Sequence, residues 1–111
     1  MIINEIELAW AAGFFDGEGC TCFWIQKNRF YNRKYGRIRV SIAQKDRFVL
    51  RRFLYAVNTG SISFSGGKYQ FYADGLEKCQ IILILLWKFL SPIKKNQYRE
   101  KLKIFIDWRT E

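Results

Sequence analysis

The segment Leu8–Gly19, LAWAAGFFDGEG, decides the fold of this chain because it joins a helical run of small residues to an abrupt acidic end. Residues three and four positions apart share one face of a helix. One such face, the small-residue stripe, consists of Ala9, Ala12, Gly13 and Asp16. Since so little side-chain bulk lies there, a second helix can approach the stripe closely.

Two carboxylates stand at the end of this helix, where the helix dipole opposes them. Asp16 and Glu18 follow the apolar run and alternate with glycines. Negative charge near a helix C-terminus is unfavourable by about 0.3–1 kcal/mol for each group. A sequence selected for stability alone would carry Lys or Arg at these positions, so we expect a cation to hold the carboxylates.

The composition is that of a basic, globular chain. Its 111 residues are expected to form a single domain, 1–111, and 50% of them are hydrophobic and 18% aromatic, which is enough for one core. Nineteen Lys and Arg residues against ten Asp and Glu give a net charge of +9. Because the basic residues are spread along the chain, the predicted partner is a polyanion, most simply nucleic acid.

The cysteine and histidine counts exclude several enzyme classes. Three cysteines and no histidine rule out a Cys/His zinc site and any nucleophile activated by histidine. The odd cysteine count favours reduced thiols inside a cell. The acidic, polar start does not resemble a signal peptide, and the apolar run 81–86 is too short to cross a membrane. We expect a soluble intracellular protein, with mitochondrion, chloroplast, phage-infected cell and bacterial cytoplasm left open.

Capping signals and hydrophobic periodicity divide the chain into eight elements. Helix starts are predicted where a capping residue precedes a helical pattern, and strands where apolar and polar residues alternate. Two helices are predicted to begin with capping boxes, Asn4 with Glu7 and Asp74 with Glu77. The first half of the chain is predicted to form a helix over 5–15, two strands on either side of a basic turn at 29–36, and a helix from Asp46 to Asn58. The second half is predicted to form strands over 61–65 and 68–72, a helix up to Leu90, and a last helix over 93–108.

The order α-β-β-α-β-β-α-α predicts an α+β domain. Two hairpins most simply form one four-stranded antiparallel sheet that the helices cover on one face. Alternation along the second hairpin assigns its inward side chains to the core. These are Ile62, Phe64, Tyr69 and Phe71.

The opposite face of the predicted sheet is open to solvent, basic and aromatic. Arg, Gln and Asn are the side chains that pair bidentately with guanine and adenine edges in the major groove. No Asp or Glu occurs among the positions assigned to this face, which favours a DNA-binding surface over an ordinary solvated sheet. The positions are Trp24, Gln26, Asn28, Arg37, Arg39, Ser41, Ser63, Lys68, Gln70 and Tyr72.

Residues 11–19, AAGFFDGEG, resemble the signature motif of the LAGLIDADG homing endonucleases. Gly13, Asp16 and Gly19 match that motif outright, and Glu18 replaces its second aspartate. The predicted element order also resembles the core of that family over nearly the whole chain. The resemblance implies a saddle-like four-stranded sheet and a DNA-cleaving activity.

Two further fragments are similar to segments of the same family. VSIAQKD, at the end of the second strand, places Gln44 at the family's glutamine, and IKKNQ places Lys94 and Gln97 on its K-x-x-Q stretch. The chemistry of phosphodiester cleavage gives Gln44 the role of orienting the water, and gives Lys94, or Lys95 beside it, the role of polarising that water or of offsetting developing charge. Simpler roles stay open, a turn residue for Gln44 and a solvated lysine for Lys94.

The resemblance also implies a metal-dependent homodimer. The motif helices of two chains would pack through the small-residue stripe. Glu18 would then bind Mg²⁺ or Mn²⁺ beside the scissile phosphate, with help from the backbone carbonyl of Gly17. Asp16 is the weaker metal ligand, because its position in the motif is the more structural one.

The expected function is site-specific cleavage of double-stranded DNA at a long, near-palindromic site. Arg29, Arg33 and Lys34 in the basic turn are expected to contact phosphates. Base readout is assigned to Gln26, Arg37, Arg39 and Gln70. Two other functions stay open on the same fold, an RNA maturase that binds intron RNA and a cleavage-inactive DNA-binding regulator.

Overall fold

The structure, a computed structural model, describes residues 4–28 and 30–109 and has its elements in the predicted order. Arg29, a predicted phosphate contact, lies outside the described residues. The helices are α1 (Glu5–Glu18), α2 (Arg47–Val57), α3 (Leu76–Leu86) and α4 (Pro92–Arg109), with a 3-10 turn at Trp87–Phe89. The strands are β1 (Gly19–Asn28), β2 (Arg33–Gln44), β3 (Ser61–Ser65) and β4 (Lys68–Asp74).

The strands form one antiparallel sheet in the order β1-β2-β4-β3, which confirms the α+β fold. The helices cover one face, and on that face Ile38, Val40 and Ile42 of β2 are at most 1% exposed. The ring of Phe53 in α2 lies 4.9 Å from that of Phe71 in β4. Each such side chain contributes about 1.5–3 kcal/mol by burial, so the core between helices and sheet supports the open face.

Helix α1 continues to Glu18, beyond its predicted end at Phe15. It ends at Gly19, whose N–H donates to the carbonyl of Phe15 and whose backbone is already extended. Strand β1 therefore begins directly after α1, without a loop. As a result, the last residue of the helix is held at a junction between two regular elements.

Neither predicted capping box forms completely. Asn4 accepts a hydrogen bond from the Glu7 N–H at 3.1 Å, but the Glu7 carboxylate pairs with Arg52 of α2 instead of returning to the cap. The prediction that Asp74 caps α3 is wrong, because Asp74 is the last residue of β4 and pairs with Arg39. Long-range ion pairs have taken both carboxylates away from their local partners.

Two further predictions fail at the margins of the sheet. Phe64, predicted in the core, is 63% exposed, because β3 is an edge strand that the helices cover only in part; its ring packs on Tyr69 at 4.8 Å. The turn predicted at 29–36 is shorter, since β2 begins at Arg33. Arg33 and Lys34 are therefore strand residues.

Helix α3 ends at Leu86 rather than near Leu90, and a 3-10 turn completes the segment. Its buried side includes Cys79 and Ile82. Burial raises the pKa of the Cys79 thiol to about 12, so this thiol is neutral at pH 7 and belongs to the core. Within 4–28 and 30–109, no helix has the length and hydrophobicity that a membrane span needs.

A methyl group added at Gly19 or Gly17 tests the junction of α1 with β1. At Gly19 a Cβ would clash with the Phe15 ring, and Gly19→Ala is expected to destabilise the fold by about 1–3 kcal/mol through overpacking. At Gly17 no described atom lies within 4 Å of a Cβ, and Gly17→Ala is expected to stabilise by about 0.5–1 kcal/mol. Urea unfolding followed by circular dichroism measures both changes, and equal stability of the two variants would contradict this geometry.

Candidate functional site

Asp16 connects the C-terminal end of α1 to the N-terminal end of α4. Its carboxylate oxygens accept the Ser91 N–H at 3.1 and 3.2 Å. The Ser91 hydroxyl in turn accepts the Lys94 N–H at 3.3 Å, which caps the first turn of α4. The positive end of the α4 dipole thus compensates a charge that the α1 dipole disfavours. A helix end therefore does for Asp16 what the sequence predicted a cation would do.

Lys94 and Gln97, one turn apart on α4, both reach the first residues of β1. The Lys94 ammonium donates to the carbonyl of Gly19 at 2.5 Å, and the Gln97 side-chain oxygen accepts the Thr21 N–H at 3.1 Å. Lys95 instead lies 5.3 Å from the Trp87 ring centre. The structure thus brings Lys94, and not Lys95, to the end of the motif.

Glu18 is the exposed carboxylate at this junction. It forms no hydrogen bond or ion pair with any residue in the described ranges. Gln44 ends β2 two residues beyond Ile42, the residue paired with Gly19. The register therefore places Gln44 at the edge of the sheet where α1 ends, so that Glu18, Lys94 and Gln44 come from three elements that meet there.

The donor set at the junction fits a metal ion that is shared with a substrate. Among the described residues, no group of three or more Asp, Glu, Cys or His side chains is placed to enclose a metal. Glu18 offers one free carboxylate, and the exposed Gly17 lies beside it. Mg²⁺ is commonly bound through one or two carboxylates, with waters and substrate phosphates completing its shell. The residues present fit such an ion and do not fit a structural metal site.

The strand register places the residues predicted for the open face of the sheet on that face, but the prediction that Ser41 is solvent-open there is wrong, because it is 7% exposed and its hydroxyl lies 3.3 Å from the Cys20 sulfur. Rows of neighbours cross it from strand to strand, such as Cys22–Arg39–Asp74 and Ser41–Tyr72–Ser61. Asp74 is a correction to the prediction that this face carries no acidic residue. Lys34 lies on the other face, on the same side of β2 as the buried core positions.

Neighbouring side chains on the open face orient Arg37 of β2. The Arg37 Nε donates to the Gln26 side-chain oxygen at 3.1 Å, with the Tyr35 ring 5.9 Å from the guanidinium. Each of these pairs joins neighbouring positions on the open face. Two of the predicted base readers, Gln26 and Arg37, therefore hold each other in a defined geometry before any ligand binds.

Sequence reasoning missed the aromatic side chains at the β1–β2 end of this face. Tyr35 alternates with Arg33 and Arg37 and shares their face, and Phe30 and Tyr31 at the hairpin tip are 93% and 72% exposed. Their position inside a basic turn was a usable signal, because exposed aromatics interleaved with basic residues are typical of nucleic-acid surfaces.

The small-residue stripe of α1 is only partly exposed. Ala9 and Gly13 face solvent, and no described atom lies within 4 Å of a Cβ built on Gly13. Ile6, on the same side of the helix, is 80% exposed. The assignment of Ala12 to this surface is wrong: it is 0% exposed, because it lies one turn after Leu8 on the core side of α1.

Known proteins share both the motif and the fold. The profile of the family described as LAGLIDADG endonuclease matches residues 11–109, nearly the entire chain. The chain therefore belongs to the LAGLIDADG homing endonuclease family. No curated protein sequence matches it significantly.

Solved homing endonucleases superpose closely on this chain. I-CvuI, in complex with the I-CreI target DNA, is 25% identical to this chain and has a TM-score of 0.80. The superposition covers 91% of this chain and 66% of the I-CvuI chain. I-GzeII, in complex with its DNA target, is 25% identical and has a TM-score of 0.75. The superposition covers 98% of this chain and 37% of the I-GzeII chain. I-TnaI, at 20% identity, TM-score 0.76 and coverage of 99% and 76%, supports the fold alone. The chain spans less than two thirds of the I-CvuI chain.

Replacing Asp16 tests whether it is a structural residue or a metal ligand. Asp16→Ala leaves the Ser91 N–H without its acceptor, and we expect a loss of about 1–3 kcal/mol in the free energy of unfolding. Asp16→Asn keeps one acceptor oxygen and should lose less. Both losses should be the same in EDTA and in Mg²⁺, as measured by urea unfolding. A loss that appears only in Mg²⁺ would assign Asp16 to the metal instead.

Proposed function

We propose that this chain is a site-specific, divalent-metal-dependent DNA endonuclease that acts as a homodimer on a long, near-palindromic site. The observation that carries the proposal is the junction of α1, β1 and α4. There an exposed Glu18 without a side-chain partner among the described residues immediately precedes Gly19, whose carbonyl accepts a hydrogen bond from Lys94. Membership of the homing endonuclease family supports phosphodiester hydrolysis as the reaction.

The residues at the junction match what phosphodiester hydrolysis requires. Glu18, with the carbonyl of Gly17, would hold Mg²⁺ or Mn²⁺, which supplies Lewis-acid stabilisation of the phosphate when bound. The Lys94 ammonium, which donates to the Gly19 carbonyl, would offset the negative charge that builds on the phosphate. The Gln44 amide can orient the attacking water, since it has both a donor and an acceptor.

The open face of the sheet is suited to lie along a DNA duplex. Its side chains include arginines for guanine edges and amides for adenine edges, and the net charge of +9 favours a polyanion. The I-CvuI and I-GzeII structures contain DNA targets, which supports the same partner for this chain. Binding is then expected to weaken steeply with salt, because phosphate contacts release counterions.

A second copy of the chain is the partner that the exposed side of α1 fits. Two reactive centres would cut both strands of a duplex within one complex, and the chain carries one motif. Gly13 leaves room for a facing backbone, and the adjacent Ile6 offers exposed apolar area. Packing two α1 helices through this surface would bring two Glu18 carboxylates to one seam. Dimerisation and assembly of the two cleavage centres would then be a single event.

The decisive experiment is selection from a randomised duplex library in Mg²⁺ and, separately, in Ca²⁺. Cleaved molecules in Mg²⁺ report the reaction, and the enriched sequence reports the site and its symmetry. Binding without cleavage in either ion would favour a DNA-binding regulator. Tight binding to intron RNA without duplex cleavage would favour a maturase, so both alternatives give distinct results.

The metal-binding role of Glu18 predicts a specific loss of cleavage. Glu18→Gln removes the charge while keeping the shape, and we expect Mg²⁺-dependent cleavage to fall by more than about 100-fold while duplex binding in Ca²⁺ stays near normal. Glu100→Gln, the same change at an exposed site on α4, is the matched control and should cleave normally. Normal cleavage by Glu18→Gln would contradict the mechanism.

The dimer surface predicts that bulk at Gly13 acts through assembly. Gly13→Leu places a large side chain where two helices must meet, so dimerisation and cleavage are expected to be lost together. The monomer fold should survive, because the described residues leave this position open. Sedimentation velocity measures the assembly and circular dichroism the fold. An intact, active dimer would overturn the proposed interface.

A further inference from the structure

On the open face, Arg39 is fixed by contacts with three neighbouring side chains. A contact with a phosphate alone does not need an arginine fixed in this way. The Arg39 guanidinium pairs with Asp74 through two hydrogen bonds, Nε to Oδ1 and Nη2 to Oδ2, the second at 2.9 Å. Its carbon lies 5.1 Å from the Trp24 ring centre and 5.0 Å from that of Tyr72. The cluster contains residues of β1, β2 and β4. Asp74, its acidic residue, was not predicted on this face.

We propose that Asp74 is a specificity-determining residue that positions Arg39 to read a G·C base pair from the open face of the sheet. This inference rests on the proposed DNA-binding function. It assigns to Asp74 a role at the DNA surface that the sequence did not suggest, and it distinguishes Arg39 from the other basic residues of the sheet.

The hydrogen-bond geometry leaves one defined edge of Arg39 free. A guanidinium carries five N–H donors in a planar fork. Asp74 uses the edge formed by Nε and Nη2, so the end formed by Nη1 and the second Nη2 proton remains. Two parallel donors of this kind match the O6 and N7 acceptors of guanine. The Arg39 side chain as a whole is 28% exposed, so it is not sealed off from the open face.

The charge of Asp74 argues for a base rather than a phosphate as the partner of Arg39. A carboxylate in direct contact with the guanidinium repels a phosphate that approaches the same group. It tolerates guanine, which is neutral, and its remaining lone pairs can accept from the N4 amino group of cytosine. Asp74 is 42% exposed and stands at the end of its strand, where it can face the pair that Arg39 contacts.

Stability alone is a weak reason for this ion pair. Exposed ion pairs contribute little to folding, and an acidic group on a DNA-binding face lowers affinity for a polyanion. The Glu7–Arg52 pair of α1 and α2 has the same bidentate geometry, with Arg52 3.9 Å from the Trp10 ring centre. It lies among the helices instead of on the sheet face, so it serves as an internal comparison.

The test compares base preferences of Asp74 variants in a randomised duplex library, bound in Ca²⁺ without cleavage. We expect the wild-type chain to prefer G·C at one position of each half-site. Asp74→Ala and the nearly isosteric Asp74→Asn should lower that preference about 5- to 150-fold. This range corresponds to the discrimination that one good bidentate contact gives against the wrong base. Total binding should be unchanged or tighter, because a negative charge is removed.

Coupling to Arg39 separates positioning from a general effect. Arg39→Ala should abolish the same preference, and the double variant should show no further change. Glu7→Ala, which breaks the comparison pair, should leave the base preferences unchanged. Asp74 variants that fold and bind with the wild-type preferences would overturn this inference alone. Absence of duplex binding by the wild-type chain would overturn the proposed function, and this inference with it.

Discussion

The structure depends on the contact between two helix ends of opposite polarity. Asp16 closes α1 where negative charge is unfavourable, and it survives there because its oxygens bind the N-terminal end of α4. That contact brings the first turn of α4 against the start of β1. Lys94 and Gln97 can then reach the backbone of Gly19 and Thr21. One carboxylate thus organises the site, which leaves the other free for chemistry.

The direct passage from α1 into β1 joins two functions in a single stretch of backbone. Glu18 is the last residue of the helix, and the strand that follows carries Cys22, Trp24 and Gln26 on the open face. A shift in the helix would therefore move the candidate reactive centre and the sheet surface together. Regular elements hold a site more accurately than loops do, which suits the proposed endonuclease, because it would have to align a scissile bond with a base sequence.

The open face of the sheet carries basic side chains, and neighbouring residues fix the orientation of two of them. Its arginines have different surroundings, because Arg37 is oriented by the neutral Gln26 and Arg39 by the charged Asp74. Buried side chains on the opposite face of β2 support this arrangement of the arginines. Ile38, Val40 and Ile42 of β2 are at most 1% exposed on the helix side, so rotating the strand would cost the burial of these side chains. Binding would select a partner that fits the existing arrangement.

Local signals in the sequence determined the order of the elements and the location of the motif, because caps, alternation and a short acidic signature act within a few residues. They located Glu18 without any tertiary information. Only the tertiary structure decided that Ala12 is buried and Phe64 exposed, since periodicity shows which residues share a face but not how far a neighbouring element covers it. The pairing of Asp74 with Arg39 depends on β4 lying beside β2. Strand order is set by the packing of the whole chain, and it decided which charges meet.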